Sequence, residues 1–328
     1  MTEYKPTGNR TVSTISCVMP AYNEARNLGQ VVPHVLAALT ALSPAVEMVV
    51  VNDGSRDATA QVLKDLCAKH PQLVAVNLSR NFGKEPAITA GLENTHGDVV
   101  FIMDADGQHP TDLLPSMLEK WEHGSDVVYA VRKSRDDQSW LHIAFTKLFY
   151  KLINWRSRVK IPANAGDFRL MDRQVVDALI SMPERNRFMK GLYAWVGFKS
   201  TAIDYEPLQR ADGQSHFGFR GALSLAVTGL LAFSVAPLRI VSYFGLFLAL
   251  AAMGYGAYVA FDYFCNGAET PGFATIVVGM MLLSGIQLMS IGILAEYIGR
   301  IYEEVKQRPT YLVQSKIGLG LSKTERML

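Results

Sequence analysis

The chain has 328 residues, with 32 Lys and Arg against 30 Asp and Glu and a formal net charge of only +2. That balance gives a nucleic acid no general electrostatic reason to bind. Cys17, Cys67 and Cys265 lie far apart with no ligand-like spacing, which argues against a disulfide scaffold and fits a reducing compartment.

The first residues, "MTEYKPTGNR", are polar and lack the apolar core of a signal peptide. Residues 1–14 read as a flexible tail. "TISCVMP" then has the pattern of a short buried strand, and "AYNEARNLGQVVPHVLAAL" turns helical. "VEMVVVNDGS" predicts a second strand. "SRDATAQVLKDLCAKH" predicts a helix with Ser55 or Asp57 as its N-cap. "LVAVNLS" is a third strand, "PAITAGLENT" a helix and "DVVFIMDAD" a fourth strand. Alternation of this kind implies an α/β domain with a mostly parallel sheet and helices on both faces. Ligands of such sheets bind beyond the carboxyl ends of the strands. Three polar clusters fall at those ends: Tyr22-Asn23-Glu24, Asp53-Gly54-Ser55 and Asp104-Ala105-Asp106.

The clusters are acidic rather than glycine-rich. No G-x-G-x-x-G follows a strand and no G-x-x-x-x-G-K-[ST] occurs, so neither a dinucleotide grip nor a P-loop is supported. Two carboxylates this close repel each other unless something positive lies between them. Carboxylates and an amide oxygen suit a hard divalent cation, Mg²⁺ or Mn²⁺, which keeps positions open for substrate phosphates. Asp106 and Gln108 are the expected ligands. The seven histidines are dispersed and show no zinc spacing.

Further along, "WLHIAFTKLFYKLINW" is amphipathic, with Leu141, Phe145, Leu148, Phe149 and Leu152 at helical spacing. It reads either as a helix covering the sheet or as one lying in a membrane interface. Residues 221–237 are apolar, rich in small residues, and read as an interfacial helix leading into a span. Residues 240–261 and 273–295 carry no charge, and as helices each is long enough to cross a hydrocarbon core of ~30 Å. The loop between them lacks Lys and Arg, whereas Arg239 precedes the first stretch and Arg300, Lys306 and Arg308 follow the second. By the positive-inside rule both termini lie in the cytoplasm. The expected organisation is a tail at 1–14, a catalytic domain at 15–215, an interfacial helix at 216–238, spans at 239–263 and 273–297 around a loop at 264–272, and a cytoplasmic tail at 298–328. Gly279, Gly285 and Gly292 along the second span predict helix–helix contact. A homo-oligomer is therefore expected, with a tetramer one arrangement.

"CVMPAYNE", "VVVNDGSRDAT", "LSRNFGKEPAITAGL", "MDADGQHP" and "GDFRLMDR", followed by two spans, resemble the family 2 glycosyltransferases that act on polyprenyl phosphates. The resemblance runs from about Ser16 to Pro309. The "ILAEYIGRIYEEVKQRPTY" segment is most similar to the bactoprenol glucosyltransferase branch. It implies a GT-A-type nucleotide-binding domain. Pro20, Ala21, Tyr22 and Glu24 match the first nucleotide-binding strand end, where Glu24 would take ribose hydroxyls. Val51 and Asp53 match the base-reading strand, with Asp53 on the uracil N3–H. Lys84 would meet phosphate. Asp104 and Ala105 would face the ribose or back the metal, and Asp106 and Gln108 would ligate it. Arg210, in "RADGQSHF", would steady the leaving diphosphate, and Ser215 lies toward the acceptor. Arg132 and Arg135 match basic positions near the lipid phosphate. Asp167 and Arg169 match acceptor-side positions, with Asp167 among the catalytic residues. The chain departs from the family at His216 and Phe217, where Lys and Tyr are usual. A phosphate contact from position 216 would therefore depend on protonation.

The implied reaction moves a sugar, glucose first, from a UDP-sugar to undecaprenyl phosphate with inversion, at the cytoplasmic face of a bacterial plasma membrane. A processive polysaccharide synthase is disfavoured by the lack of a Q-x-x-R-W motif and by too few spans. A non-catalytic scaffold would leave the carboxylates unused and repelling each other. A channel or flippase is disfavoured by spans with almost no polar residue besides Gln287.

Overall fold

The computed structural model describes residues 10–132, 165–185, 187–206, 236–266 and 272–321. In chain order the elements are β1 (Thr14–Ala21), α1 (Ala25–Thr40), β2 (Ala45–Asn52), α2 (Thr59–Lys69), β3 (Leu73–Leu78), α3 (Lys84–Glu93), β4 (Val99–Ile102), α4 (Leu113–Glu122), β5 (Val127–Arg132), β6 (Ala165–Asp172), α5 (Arg173–Ser181), α6 (Met189–Trp195), β7 (Ser200–Tyr205), α7 (Ala236–Asn266), α8 (Phe273–Val305) and β8 (Val313–Ile317). The strands form one sheet in the order β7-β5-β6-β4-β1-β2-β3-β8.

Strands β1 to β4 run parallel. Their side chains alternate between two buried faces, so they read as nearly continuous apolar runs. Ile15, Cys17 and Met19 pack with α1, α2 and α4 on one face. Val18 packs with α3, α5 and α6 on the other. The order reverses at β1, which lies between β4 and β2; that is where a doubly wound sheet opens a crevice for ligand.

Two strands break the parallel pattern. β6 lies antiparallel between β4 and β5, pairing Ile102 with Arg169 and Val99 with Asp172. β8 adds antiparallel to β3, pairing Asn77 with Ser315. Both are long-range pairings that local periodicity does not reveal.

The helix boundaries also differ in detail. α2 begins at Thr59, past both expected caps. Asp57 accepts a hydrogen bond from the Thr59 backbone N–H at 3.0 Å, whereas the Ser55 hydroxyl accepts from the Asn23 N–H at 2.9 Å. Nor are residues 10–14 loose: the Arg10 guanidinium lies 2.8 Å from Asp126, and β1 already includes Thr14.

The helices α7 and α8 have 31 and 33 residues and expose large apolar side chains, including Phe247, Met253 and Phe261. Of the two expected spans, one stretch among the described residues is long and apolar enough to cross a membrane, Leu282–Val305; the other apolar run, Tyr243–Tyr258, is shorter. α8 continues beyond the expected end at 297, through Arg300 paired with Glu296 at 3.6 Å.

After α8 the chain returns to the α/β sheet and adds a strand to it. The Glu304 carboxylate accepts from the Arg185 N–H at 3.1 Å, and the Tyr311 hydroxyl donates to Glu93. The Leu321 N–H then donates to Glu47 at 2.8 Å. Glu47 is fully buried and also accepts from the Ser16 hydroxyl at 2.6 Å. Ending the chain at Pro309 would uncover the β3 edge and leave one Glu47 oxygen without its donor. An orphaned buried acceptor costs about 1–3 kcal/mol, before the lost strand pairing is counted. The truncated protein should melt on the order of 5 °C below the full chain. An unchanged midpoint would show that β8 contributes nothing.

Candidate active site

The parallel register brings the strand ends together at one edge. Pro20 pairs with Val51 and Ala21 with Asn52, and the Asp53 N–H donates to the Ala21 carbonyl at 2.9 Å. The loops that follow are tied to each other. The Asn23 side chain accepts from the Arg56 N–H at 2.8 Å, and the Glu24 N–H donates to the Thr59 hydroxyl at 3.0 Å. Tyr22 is exposed and Val51 and Ala105 are buried. The Glu24 carboxylate accepts from the Asn27 amide at 2.6 Å.

Asp53 is turned inward and is 3% exposed. Its two oxygens accept from the Phe82 N–H at 2.7 Å and the Gly83 N–H at 2.9 Å. Burial pushes its carboxyl up despite those donors and nearby Arg80. The loop it holds leads directly into Lys84, the first residue of α3. Gly54 permits this approach: its φ is +61°, and a Cβ there would lie 2.2 Å from the Arg80 carbonyl carbon.

Lys84 places a positive group between two carboxylates, Asp104 and Asp167, the second of which is distant in sequence. Its ammonium lies 2.8 Å from Asp104 and 2.7 Å from Asp167. Asp104 follows the end of β4. Asp167 reaches the same edge because β6 is antiparallel, so the start of β6 flanks the end of β4. Burial pushes the Asp167 carboxyl up, but Lys84, Lys190 and Arg169 outweigh it and hold Asp167 below the ordinary carboxylate range. Burial lowers Lys84, and Asp167 and Asp104 more than reverse this, so the ammonium stays charged.

Asp106 sits one turn further on, accepting from the Gln108 N–H at 3.0 Å around Gly107, whose φ is +72°. His109 closes this loop. Its Nδ1 accepts from the Asp104 N–H at 3.0 Å, and its ring stacks on Phe168 at 4.6 Å. Burial pushes the imidazole below its usual value, against Asp104 and Asp106, in keeping with an unprotonated Nδ1. His109 therefore positions the acidic loop. As one of seven dispersed histidines it carries no sequence signal beyond adjacency to the acidic motif.

The acceptor-side residues are divided. Arg132 ends β5 at this edge, paired in register with Tyr205. Arg169 is 3% exposed, its guanidinium 3.4 Å from the Tyr193 ring centroid, and it donates to the Gly166 carbonyl at 2.6 Å. Arg169 is thus buried against Tyr193, two residues along β6 from Asp167. Arg135, Arg210, Ser215 and His216 lie outside the described residues, as do the amphipathic segment at 140–155 and residues 216–235.

Glu85, beside Lys84, carries no motif either. Its carboxylate accepts from the Met189 N–H at 3.1 Å. Burial, then Asp167, push it up to about 7. The folded chain thus holds this proton more tightly than the unfolded chain does. Its contribution to stability is complete below the ordinary carboxylate range and is lost as pH rises through about 7. Glu85→Gln should match the wild type at pH 5 and exceed it at pH 8, by on the order of 2 kcal/mol in denaturant melts. Equal stability at both pH values would contradict this.

The donors at this edge are carboxylate and amide oxygens, the set a hard divalent cation takes, and a cationic ammonium already lies between two of them. Among the described residues no three His, Cys, Asp or Glu side chains form a metal-ligating group by themselves. Oxygens from water or from a ligand would complete the shell of a cation here.

Residues 16–180 match the glycosyl transferase family 2, and residues 236–301 match the GtrB C-terminal hairpin. An uncharacterised glycosyltransferase of Synechocystis sp. is 42% identical over 313 residues, covering 95% of this chain and 98% of that protein. The bactoprenol glucosyl transferase of Shigella phage SfX is 42% identical over 303 residues, 92% of this chain and 99% of that protein. Among solved structures, a mannosyltransferase from Pyrobaculum calidifontis in complex with GDP-Man and Mn²⁺ aligns over 89% of this chain and 86% of that one, at 17% identity and a TM-score of 0.46. Acidic clusters gathered at the strand ends of this sheet, and kinship along nearly the whole chain, place the protein in glycosyl transferase family 2, as a glycosyltransferase.

Proposed function

We propose that the protein transfers glucose from UDP-glucose to undecaprenyl phosphate, giving a polyprenyl-phosphate sugar with inverted anomeric configuration. The observation that carries this reading is the 42% identity to a bactoprenol glucosyl transferase across both the catalytic domain and the apolar hairpin.

Each part of the site has a task in that reaction. Glu24 takes the ribose hydroxyls. Asp53, held rigid by the Phe82 and Gly83 N–H groups, offers a remaining lone pair to the uracil N3–H. Asp106 and Gln108 hold Mg²⁺ or Mn²⁺, with Asp104 behind them. When bound, such an ion is a Lewis acid toward the leaving diphosphate. Lys84 and Arg210 take charge on the same diphosphate. Arg132, Arg135 and Ser215 receive the acceptor phosphate, and Arg169 acts from beneath, by holding β6 and Asp167 in place. A phosphate monoester has a second pKa near ~6 and is already a nucleophile at neutral pH. Positioning and charge stabilisation therefore supply most of the rate, without a strong general base.

The hairpin puts this chemistry at a membrane. α7 and α8 both span a bacterial plasma membrane, the loop between them faces outward, and both termini are cytoplasmic, in line with Arg239, Arg300, Lys306 and Arg308 on one side. The chain assembles as a homo-oligomer through the glycine-bearing face of α8.

The test is a transfer assay. Full-length protein in detergent is mixed with undecaprenyl phosphate, Mg²⁺ or Mn²⁺ and a panel of labelled sugar nucleotides, then extracted into organic solvent. Label should enter the lipid phase from UDP-glucose and be lost with EDTA. Transfer from a different donor alone, such as a galactose, hexosamine, mannose or aminoarabinose nucleotide, would keep the chemistry and replace the sugar. No transfer from any donor, with UDP still bound, would overturn the acceptor.

A further inference from the structure

Lys84 is placed to do more than grip phosphate. Its ammonium bridges Asp104 and Asp167 at 2.8 and 2.7 Å, yet the side chain keeps 38% of its surface exposed, so an arriving anion can reach it. The two carboxylates are not equivalent once the lysine leaves. Asp167 keeps the fields of Lys190 and Arg169. Asp104 has only the His109 ring beside it, with Nε2 at 3.9 Å, among the ion-pair partners described. When Lys84 moves, Asp104, two residues from Asp106 on the same loop, is the carboxylate a new cation can balance. A divalent ion entering this loop alone would compete with the ammonium for Asp104, and the two positive charges repel. A diphosphate arriving with the ion removes that conflict, because it attracts the ammonium away.

We propose that Lys84 couples cation binding to nucleotide binding: it balances Asp104 and Asp167 in the nucleotide-free site and swings to the diphosphate when ion and nucleotide arrive together. This rests on the reading of the site as one for a UDP-sugar. The metal-ion site is thus suppressed until donor is present, and the stray binding of cations to an idle enzyme is avoided. Thermodynamically it is a share of the coupling free energy, added by one side chain to the direct contact of diphosphate with ion, and it acts equally in both directions.

The experiment measures the dissociation constant of Mn²⁺ on the full-length protein in detergent, with and without UDP, from the paramagnetic resonance of free Mn²⁺. In the wild type, UDP should tighten Mn²⁺ by about 100-fold, within the usual range of couplings. In Lys84→Gln that ratio should shrink about tenfold, with a distinct signature: Mn²⁺ alone binds more tightly than to wild type, and Mn²⁺ with UDP more weakly. Lys84→Arg should retain most of the ratio. Lys84→Met provides the same reading if Lys84→Gln does not fold. A variant that weakens UDP but leaves Mn²⁺ alone unchanged would overturn the coupling role and leave Lys84 a simple phosphate contact. So would equal Mn²⁺ affinity with and without UDP in the wild type. Failure of the wild type to bind UDP under any Mn²⁺ concentration would sink the nucleotide reading, and this inference with it.

Discussion

Asp106→Asn should lower sugar transfer by at least ~10²-fold and leave the thermal midpoint nearly unchanged. The size follows from the role proposed for Asp106: without its carboxylate the divalent ion that would balance the leaving diphosphate is held more weakly, and single electrostatic groups of that kind are worth ~10²–10³ in rate. The neutrality toward folding follows from geometry. Asp106 uses one oxygen to accept from the Gln108 N–H at 3.0 Å, and an asparagine carbonyl accepts the same bond. The turn at Gly107 is kept while the formal charge goes. Asp104→Asn is a poorer test, because it also unbalances Lys84 and the network around Asp167. Transfer, melting and Mn²⁺ binding should be read together. Near-normal transfer by Asp106→Asn would assign the ion to other ligands.

Gly54→Ala should be the reverse case, damaging the scaffold and the site together. At φ +61° any β-carbon is strained, and here it would lie 2.2 Å from the Arg80 carbonyl carbon and 2.5 Å from the Asn81 nitrogen. Backbone atoms cannot turn aside as a flexible side-chain tip can. The segment from Arg80 to Gly83 must move, and Asp53 then loses the two N–H donors that satisfy it. Left-handed strain alone is worth about 1–2 kcal/mol, and an unsatisfied buried carboxylate adds about as much or more. A loss on the order of 3 kcal/mol is expected in denaturant melts, together with at least tenfold weaker UDP binding, since Lys84 rides on the displaced segment. A variant with normal stability and normal UDP affinity would show that this approach is not needed.

Much of the α/β half was legible because its signals are local. Short apolar runs leading into "YNE", "NDGS" and "DADGQ", over strands of eight, eight and four residues, mark parallel strands, and strand ends in such a sheet converge whatever the helices between them contain. The acidic pair predicts that a positive group must lie nearby, since bare carboxylates at that spacing repel. The charge-free stretches at 240–261 and 273–295 announce long apolar helices for the same local reason.

What the sequence by itself determined is therefore the alternation of elements, the position of the acidic edge and the hydrophobic hairpin, all of which follow from periodicity and composition over short windows. The tertiary structure alone decided which residues meet across long separations. The antiparallel placement of β6 brings Asp167 to Lys84, 83 positions earlier in the chain, and buries Arg169 beneath the site. The return of β8 to the β3 edge closes the Leu321 N–H onto buried Glu47. Burial, rather than any motif, gives Glu85 and His109 their altered proton affinities. These are effects of strand order and solvent exclusion, which depend on where distant segments pack, and no window of residues along the chain contains that information.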